Sequence, residues 1–450
     1  MIRILIFTVL SLFFIACSNH SSDNLIYANA LLANSCSNIF LDKEQEKVEN
    51  KKDVIYVGLN AAYIARQCDD FNRSNYLFDK VEDSYKYDVD LKSAGSKAIK
   101  TVGTTLINDN ISDYDGTLYE RIMLNVYKGL NFMSLNDFEN ARVEFNRALN
   151  RQDRAKEYFA SDIAALRAEF DKNKKDENYG QINSGFNDIS KQYEHLLKDF
   201  QTTKNFVNPY ATYMSALFFF LDDDYIKAAD LFKEVAVVNS KKAELNAQLR
   251  VFNQYANSSS PQRLKKYIFV VYENGLGAGL EEFKFSIPYV FNDNIVNTSF
   301  ALPVLKTRSY SYPYLLANDK KSVELVNFDN IIATEFKIKL PLKILKAVSS
   351  SISKTAINIA VANNDSTGGL LSLATSVLNA VTTNADLRYW SALPKSAQVV
   401  MLENKGSISI EQNTGKILYT NENLDKNKNA LLVLRSFSEN SPSKVWLIQK

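Results

Sequence analysis

Three stretches in the first half of the chain repeat one pattern, which limits the fold more than any other feature. Each stretch places an Asp directly before an aromatic residue, a small residue nine positions earlier and a Phe seven positions later. The residues expected to pack the pattern together are Ala62, Phe71, Phe78, Gly129, Phe138, Ala141, Phe145, Ala148, Ala216, Tyr225, Ala228 and Phe232. Because apolar residues recur at intervals of three and four, with few glycines or prolines, residues 25–258 are predicted to be helical.

This pattern resembles the tetratricopeptide repeat, in which two antiparallel helices approach closely at small residues and larger side chains fill the adjacent space. The aromatic anchors Phe71, Phe138 and Tyr225 are 67 and then 87 residues apart. A regular array repeats about every 34 residues, so additional helices should lie between the matching pairs. We therefore predict an irregular α-helical solenoid of tetratricopeptide-like pairs, with a generic helical bundle as the alternative.

The composition changes at residues 257–261, where the sequence Asn-Ser-Ser-Ser-Pro is typical of a turn. Beyond it, short runs of β-branched and aromatic residues indicate strands, interrupted by two Ala- and Ser-rich helical stretches at residues 331–363 and 370–385. Residues 262–450 are predicted to form an α+β domain in which a helix pair covers one face of an antiparallel sheet. The chain as a whole is therefore predicted to be α+β.

The first 17 residues have the order of an export signal. Arg3 precedes an apolar run at residues 4–15, and Ala16 and Cys17 follow. About 20 apolar residues are needed to span a bilayer, so this run is too short for a membrane helix. The order resembles a bacterial lipoprotein signal, which implies removal of residues 1–16, a lipid on Cys17 and a polar tether over residues 17–24. The alternative is an ordinary cleaved signal followed by a cysteine of no special role.

The lipid is the expected membrane attachment, because no later segment has about 18 consecutive apolar residues. Ser18 follows Cys17, and under the sorting rule of enteric bacteria this favours the outer membrane, with the protein facing the periplasm. Two cysteines remain, Cys36 and Cys68. In an oxidising periplasm they either form a disulfide or stay as two buried thiols, and the sequence favours neither.

Several segments resemble a particular bacterial family. The segments are residues 119–121, 125–128, 130–131, 137–138, 141–148, 208–210, 272–275, 385–390 and 393–394. They are similar to a family of outer-membrane-type lipoproteins of unassigned function with tetratricopeptide-like repeats in the N-terminal half. The resemblance implies a protein that faces the periplasm and belongs with factors of envelope or cell-wall assembly. The family supplies no catalytic residues to transfer to this chain.

Composition gives no indication of catalysis or nucleic-acid binding. The chain has 53 Lys and Arg against 51 Asp and Glu, so its net charge does not favour nucleic acid as a partner. It has two histidines, His20 and His195, so few residues are available to form a catalytic triad or a histidine metal site. We predict no enzyme activity, no metal and no cofactor.

Asp386, Arg388 and Trp390 form the most distinctive polar and aromatic group outside the repeats. Arg388 has the chemistry to pair with a carboxylate, and Trp390 has the surface to anchor an interface with a partner. The alternative is that the three residues fix the end of the second C-terminal helix to the sheet.

These observations predict a lipid-anchored periplasmic scaffold that holds a protein partner in the groove of its helical repeats. A second hypothesis is a lipoprotein whose C-terminal domain binds a glycan or lipid of the envelope. A third is a cell-wall hydrolase.

Overall fold

A computed structural model describes residues 20–85, 114–203, 208–291, 294–308, 310–364 and 384–450. Within these ranges the chain is α+β, with helices first and antiparallel-rich sheets after them, as predicted. Cys17 lies outside the described residues, and so does most of the helix predicted at residues 370–385. Among the helices that are described, none combines the length and the apolar character needed to cross a membrane.

The helical half consists of helices, most of which are joined to the next helix by a turn of five residues or fewer. In chain order they are α1 (Ser21–Leu32), α2 (Asn38–Glu49), α3 (Val54–Gln67), α4 (Phe71–Ser84), α5 (Leu118–Ser134), α6 (Phe138–Asp153), α7 (Ala155–Asn173), α8 (Tyr179–Leu196), α9 (Pro209–Leu221), α10 (Tyr225–Val238) and α11 (Ala243–Ala256). The three matching sequence stretches correspond to the pairs α3–α4, α5–α6 and α9–α10. Each pair is joined by a three-residue turn and packs as a helical hairpin.

The three hairpins share one turn geometry, which explains the repeated Asp. The residue before this Asp has a positive φ of 59° or 60° in every case. The Asp then begins the next helix, and its carboxylate accepts a hydrogen bond from the backbone N–H three residues later. This contact satisfies an N–H that has no partner inside the helix. The capping residues are Asp70, Asp137 and Asp224.

The pattern residues lie where the paired helices meet. A Cβ atom on Gly129 would come within 2.8 Å of the Phe145 ring, so only a hydrogen atom fits between α5 and α6 there. The aromatic anchors Phe71, Phe138 and Tyr225 are partly buried at the edge of the core. The remaining pattern residues are fully buried: Ala62, Phe78, Ala141, Phe145, Ala148, Ala216, Ala228 and Phe232.

The strands form three sheets among the described residues. Their bounds are β1 (Tyr267–Asn274), β2 (Gly279–Phe291), β3 (Asn294–Lys306), β4 (Leu315–Ala317), β5 (Lys320–Lys321), β6 (Val323–Asn327), β7 (Ser396–Glu403), β8 (Ile408–Gln412), β9 (Ile417–Asn421), β10 (Ala430–Ser436) and β11 (Lys444–Gln449). The main sheet has the order β11–β10–β1–β7–β6, the second has the order β5–β4–β8–β9, and β2 and β3 form a ribbon.

The expectation of one antiparallel sheet is wrong in detail. The central strand β1 pairs antiparallel with β7 but parallel with β10, with Val271 opposite Val433. A parallel pair needs a long crossover, and here more than 150 residues separate the two strands. Sequence patterns along each strand contain no information about such a distant pairing.

The main sheet is covered on both faces. Phe269 and Val271 of β1 face the helices, whereas Ile268 and Val270 face the second sheet. Because side chains alternate along a strand, every second residue of β1 contributes to the helical side. One continuous apolar core runs from α1 through the helices to β11, so the two halves of the described chain share a core.

One long helix, α12 (Phe328–Asn364), is the described member of the predicted helix pair. It packs on α7, α8 and β3, and together with the β2–β3 ribbon these elements form an arm beside the main sheet. Gly185 of α8 lies in this contact, where an added Cβ would be 3.0 Å from Ile287 and 3.1 Å from Val348.

The tether predicted at residues 17–24 is wrong for its last four residues. Helix α1 begins at Ser21, and the Asn24 side chain is buried. The Asn24 amide donates to the carbonyl of Leu387 at 2.8 Å, and its oxygen accepts from the Tyr56 hydroxyl at 2.8 Å. These contacts fix the segment to the fold, because a buried amide needs such partners.

Cys36 and Cys68 form a disulfide in the structure, with their Cα atoms 5.5 Å apart. The bond connects the turn after α1 to the end of α3, across 32 positions in sequence. Closing a loop of this size contributes about 3 to 4 kcal/mol to the free energy of unfolding on a chain-entropy estimate.

The close contact at Gly129 gives a stability prediction. Gly129→Ala forces a methyl group against the buried Phe145 ring and should lower the free energy of unfolding by about 1 to 2 kcal/mol. Gly180→Ala is the matched control, because no atom lies within 4 Å of the added Cβ in α8. It should raise the same free energy by up to about 1 kcal/mol through helix propensity. Urea unfolding followed by circular dichroism measures both changes, and equal effects would contradict this packing.

Candidate functional site

Residues 384–394, called here the joining segment, cross the inner surface of the helical hairpins without forming a helix or strand. The side chain of Trp390 is 1% exposed. Its ring centroid lies 6.3 Å from that of Tyr63, 5.7 Å from that of Phe78 and 5.6 Å from that of Tyr127. Helices α3, α4 and α5 therefore form an aromatic pocket for one side chain of the joining segment.

The helices also bind the backbone of this segment. The Asn60 side chain of α3 accepts from the N–H of Ser391 at 2.9 Å and donates to the carbonyl of Tyr389 at 3.3 Å. The carboxylate of Glu120 on α5 accepts from the N–H of Trp390 at 2.8 Å. These are contacts that a groove makes with an extended peptide, because they are independent of the peptide's side chains.

Glu120 is fully buried, and its pKa is raised by that burial. Hydrogen bonds from Trp390, Tyr114 and Thr117 oppose the rise, since they favour the charged form. The same carboxylate completes a capping box with Thr117 at the start of α5. One side chain thus both begins a helix and holds the joining segment.

Arg388 lies in the same segment and is buried, with its guanidinium 2.9 Å from Asp386 and 2.6 Å from Asp53. Burial alone would lower the pKa of Arg388, but the two carboxylates outweigh it and raise that pKa. The interpretation of Asp386, Arg388 and Trp390 as an interface for a partner is therefore wrong. Arg388 pairs with Asp386 of the same segment and with Asp53 of the helical half, and three helices enclose the Trp390 ring.

A buried ion pair lies beneath the segment, where the main sheet meets the helices. Glu273 of β1 and Arg435 of β10 are both 0% exposed, and the carboxylate lies 3.8 Å from the guanidinium. The carboxylate accepts from the Tyr63 hydroxyl at 3.3 Å and from the Tyr210 hydroxyl. Arg435 also donates to the carbonyl of Ala392 at 2.9 Å. The main sheet, the helices and the joining segment therefore all contribute contacts to this buried ion pair.

These two residues were missed by sequence reasoning, although the sequence contains a signal. Each is a single charge near the end of an otherwise apolar strand, in Tyr267–Asn274 and Ala430–Ser436. A charge inside a buried strand needs a partner, so two such strands predict a buried pair. Asn60 and Glu120 carry no comparable signal, because polar residues are common in helices.

A second charged cluster joins α4, α5 and α6. Glu82 is 2% exposed and lies 3.1 Å from Arg151, 3.3 Å from Lys128 and 3.3 Å from Arg147. Burial acts to raise the pKa of Glu82, but these three cations outweigh it and lower that pKa. Glu144 also contacts Lys128, at 2.9 Å. The cluster is a helix-to-helix contact, and its charges neutralise one another.

None of the described residues forms a group of three or more His, Cys, Asp or Glu able to hold a metal ion. His195, one of the two histidines of the chain, lies in the last turn of α8. Each acidic and basic residue discussed above is engaged with a neighbour inside the fold, and the arrangement connects elements of the protein. No family model, curated protein or solved structure matches this chain.

The Glu82 cluster predicts a pH dependence of stability. The folded-state pKa of Glu82 lies below the unfolded value, so its contribution is complete above about pH 4.5 and is lost as pH falls through the folded pKa. Glu82→Gln removes the charge and should lower the free energy of unfolding by about 3 to 5 kcal/mol at pH 7. The difference from the unsubstituted protein should shrink in acid.

The control for this substitution is Glu157→Gln, which breaks an exposed pair with Arg154 at 2.9 Å. Exposed pairs contribute little, so its effect should be near zero at every pH. Urea unfolding between pH 7 and pH 3.5 measures both. A Glu82→Gln effect that stays constant over this range would show that charge is not its cause.

Proposed function

We propose that this protein is a lipid-anchored scaffold of the bacterial cell envelope that binds a protein partner and has no catalytic activity. The export signal with Cys17 and the resemblance to outer-membrane-type lipoproteins support the location. The three hairpins with a common turn support an irregular tetratricopeptide-like solenoid. In this proposal the fold holds surfaces in a fixed relation, which requires rigidity and no chemistry.

The joining segment fills the groove in which the sequence predicted that a partner would bind. It occupies the inner surface between α3, α4 and α5, where Trp390 is already enclosed. A partner in that position would have to displace a buried tryptophan, and loss of such a side chain costs about 3 to 5 kcal/mol. We therefore propose that the partner binds outside the helical groove, on the arm.

The single observation that carries the proposal is the outer face of the β2–β3 ribbon. Val290 and Ile295 lie directly opposite each other on the two strands, and they are 50% and 72% exposed. Lys284 and Ser286, on the same face, are exposed and polar. We propose that this apolar cross-strand pair, at the far end of a polar face, is the centre of a small protein-binding surface.

The edges of the ribbon are protected against strand addition. The backbone N–H and carbonyl of Val290 both bond to the Gln181 side chain of α8, at 2.7 and 3.1 Å. By alternation, Pro288 faces the same edge, where it lacks an N–H. Pro303 has the equivalent position on β3, and its carbonyl accepts from the Tyr193 hydroxyl at 2.8 Å. A partner therefore uses the side-chain face and not the backbone edge.

The function is tested by a photo-reactive amino acid placed at Ile295 in living cells, with irradiation and mass spectrometry of the products. A discrete crosslinked species containing one envelope protein is expected. Val290→Asp should reduce its yield at least roughly tenfold, because a charge cannot be buried in an apolar contact.

Ile417 of β9 supplies the control, since it is 58% exposed on the second sheet. A photo-reactive residue there should give no discrete species, and Ile417→Asp should leave the Ile295 product unchanged. Crosslinks only to lipid or glycan would favour the glycan- or lipid-binding hypothesis instead. Absence of any product at Ile295 would contradict the proposed surface.

A further inference from the structure

We propose that the outer face of α1 lies on the phospholipid bilayer and fixes the orientation of the protein on the membrane. This inference rests on the proposed lipid at Cys17. It adds a second contact, made by Leu25, Ile26 and two neighbouring lysines, and assigns it to one partner, an anionic lipid surface.

Helix α1 has two different sides. Asn24, Tyr27 and Leu31 are buried against the fold. On the opposite side Leu25 is 61% exposed and Ile26 is 50% exposed. Two large adjacent apolar side chains on the first helix have no contact inside the described protein that covers them. Such residues lower the free energy of the system when they enter an apolar phase.

The proposed lipid is close to these side chains. Three peptide links connect Cys17 to His20, the first described residue, and they span at most about 10 Å. His20 directly precedes α1 and lies 3.2 Å from Asp23. The acylated end of the chain therefore holds the start of α1 near the headgroups, whatever path the three links take.

The charge beside the start of α1 is suited to anionic headgroups. The imidazole of His20 lies 3.5 Å from Asp53, which brings the α2–α3 turn next to it. Lys51 and Lys52 in this turn are exposed. Two acidic groups there are already engaged, because Asp53 pairs with Arg388 and Asp23 with His20. Lysines near a membrane surface are attracted to anionic lipids, and the attraction decays within a Debye length.

A bilayer is favoured over a protein as the occupant of this face for a geometric reason. A protein partner would have to bind within the short reach of a lipid that is itself inserted in the membrane. The bilayer is present at that distance in every acylated molecule, and exposed apolar side chains with basic residues in a nearby turn suit an interfacial contact.

The test uses the mature chain, residues 17–450, coupled through Cys17 to a maleimide lipid in vesicles. Because Cys36 and Cys68 form a disulfide, Cys17 supplies the reactive thiol. The vesicles contain phosphatidylglycerol and brominated phosphatidylcholine, which quenches indole fluorescence on contact. Chemical coupling places the lipid at residue 17 whether or not cells attach one, so failure of this inference is distinguishable from failure of lipidation. Labelled fatty acid incorporated in cells reports lipidation separately.

Ile26→Trp supplies the probe, and Ile417→Trp is the matched control on the far side of the main sheet. The native Trp390 and Trp446 are 1% and 6% exposed, so their emission serves as a background that brominated lipid does not reach. We expect the added indole emission to fall roughly twofold or more at position 26, with almost no change at position 417.

Three further results decide the inference. Lys51→Gln combined with Lys52→Gln should reduce quenching at position 26 in anionic vesicles and leave it unchanged in neutral ones. Equal quenching at positions 26 and 417 would overturn the proposal. So would an indole at position 26 that is shielded from both brominated lipid and aqueous acrylamide, because that result would place protein over this face.

Discussion

The buried pair of Glu273 and Arg435 is the constraint on which the rest of the structure depends. Both side chains are completely enclosed. Removing such ions from water costs several kcal/mol each, and only close partners restore that free energy. The partners come from different parts of the chain: Tyr63 and Tyr210 from two helices, and the carbonyl of Ala392 from the joining segment. The buried charges of the main sheet therefore have all of these partners only when the helical half is folded against it.

The joining segment extends this dependence across the molecule. Residues of α1, α3 and α5 hold its backbone, Asp53 holds Arg388, and the aromatic pocket holds Trp390. The inner surface of the helical hairpins is thus part of the protein's own core. For the proposed scaffold, this arrangement removes a groove for partners and fixes the position of the arm relative to the helices. This is why the proposed partner surface lies on the β2–β3 ribbon.

Local structure could be predicted from the sequence because its causes are local. Asp70, Asp137 and Asp224 cap the helices that follow them, and the turn before each has the same backbone. Gly129 opposite Phe145 shows why a small residue recurs at that position of the pattern. The change from helix to strand near residue 258 is likewise visible in composition, and the α+β class follows from it.

Long-range structure could not be predicted in the same way. The contact of Asn60 with Ser391 joins residues 331 positions apart, and no local pattern distinguishes a tryptophan in such a pocket from one at an interface. The sequence therefore left Arg388 and Trp390 open between a partner interface and an internal contact, and their partners lie inside the chain. The parallel pairing of β1 with β10 was missed for the same reason. The isolated charges of Glu273 and Arg435 were the signal that pointed to a common buried site.

The most direct test of this account is native-state hydrogen exchange, resolved by segment, across low urea concentrations. If the buried pair and the joining segment connect the two halves into one cooperative unit, the amides of α3, α5, β1 and β10 should exchange through the same unfolding event. They should then share one free energy of opening and one dependence on urea concentration. Exchange of α3 and α5 at a clearly lower free energy, while β1 and β10 stay protected, would contradict the account.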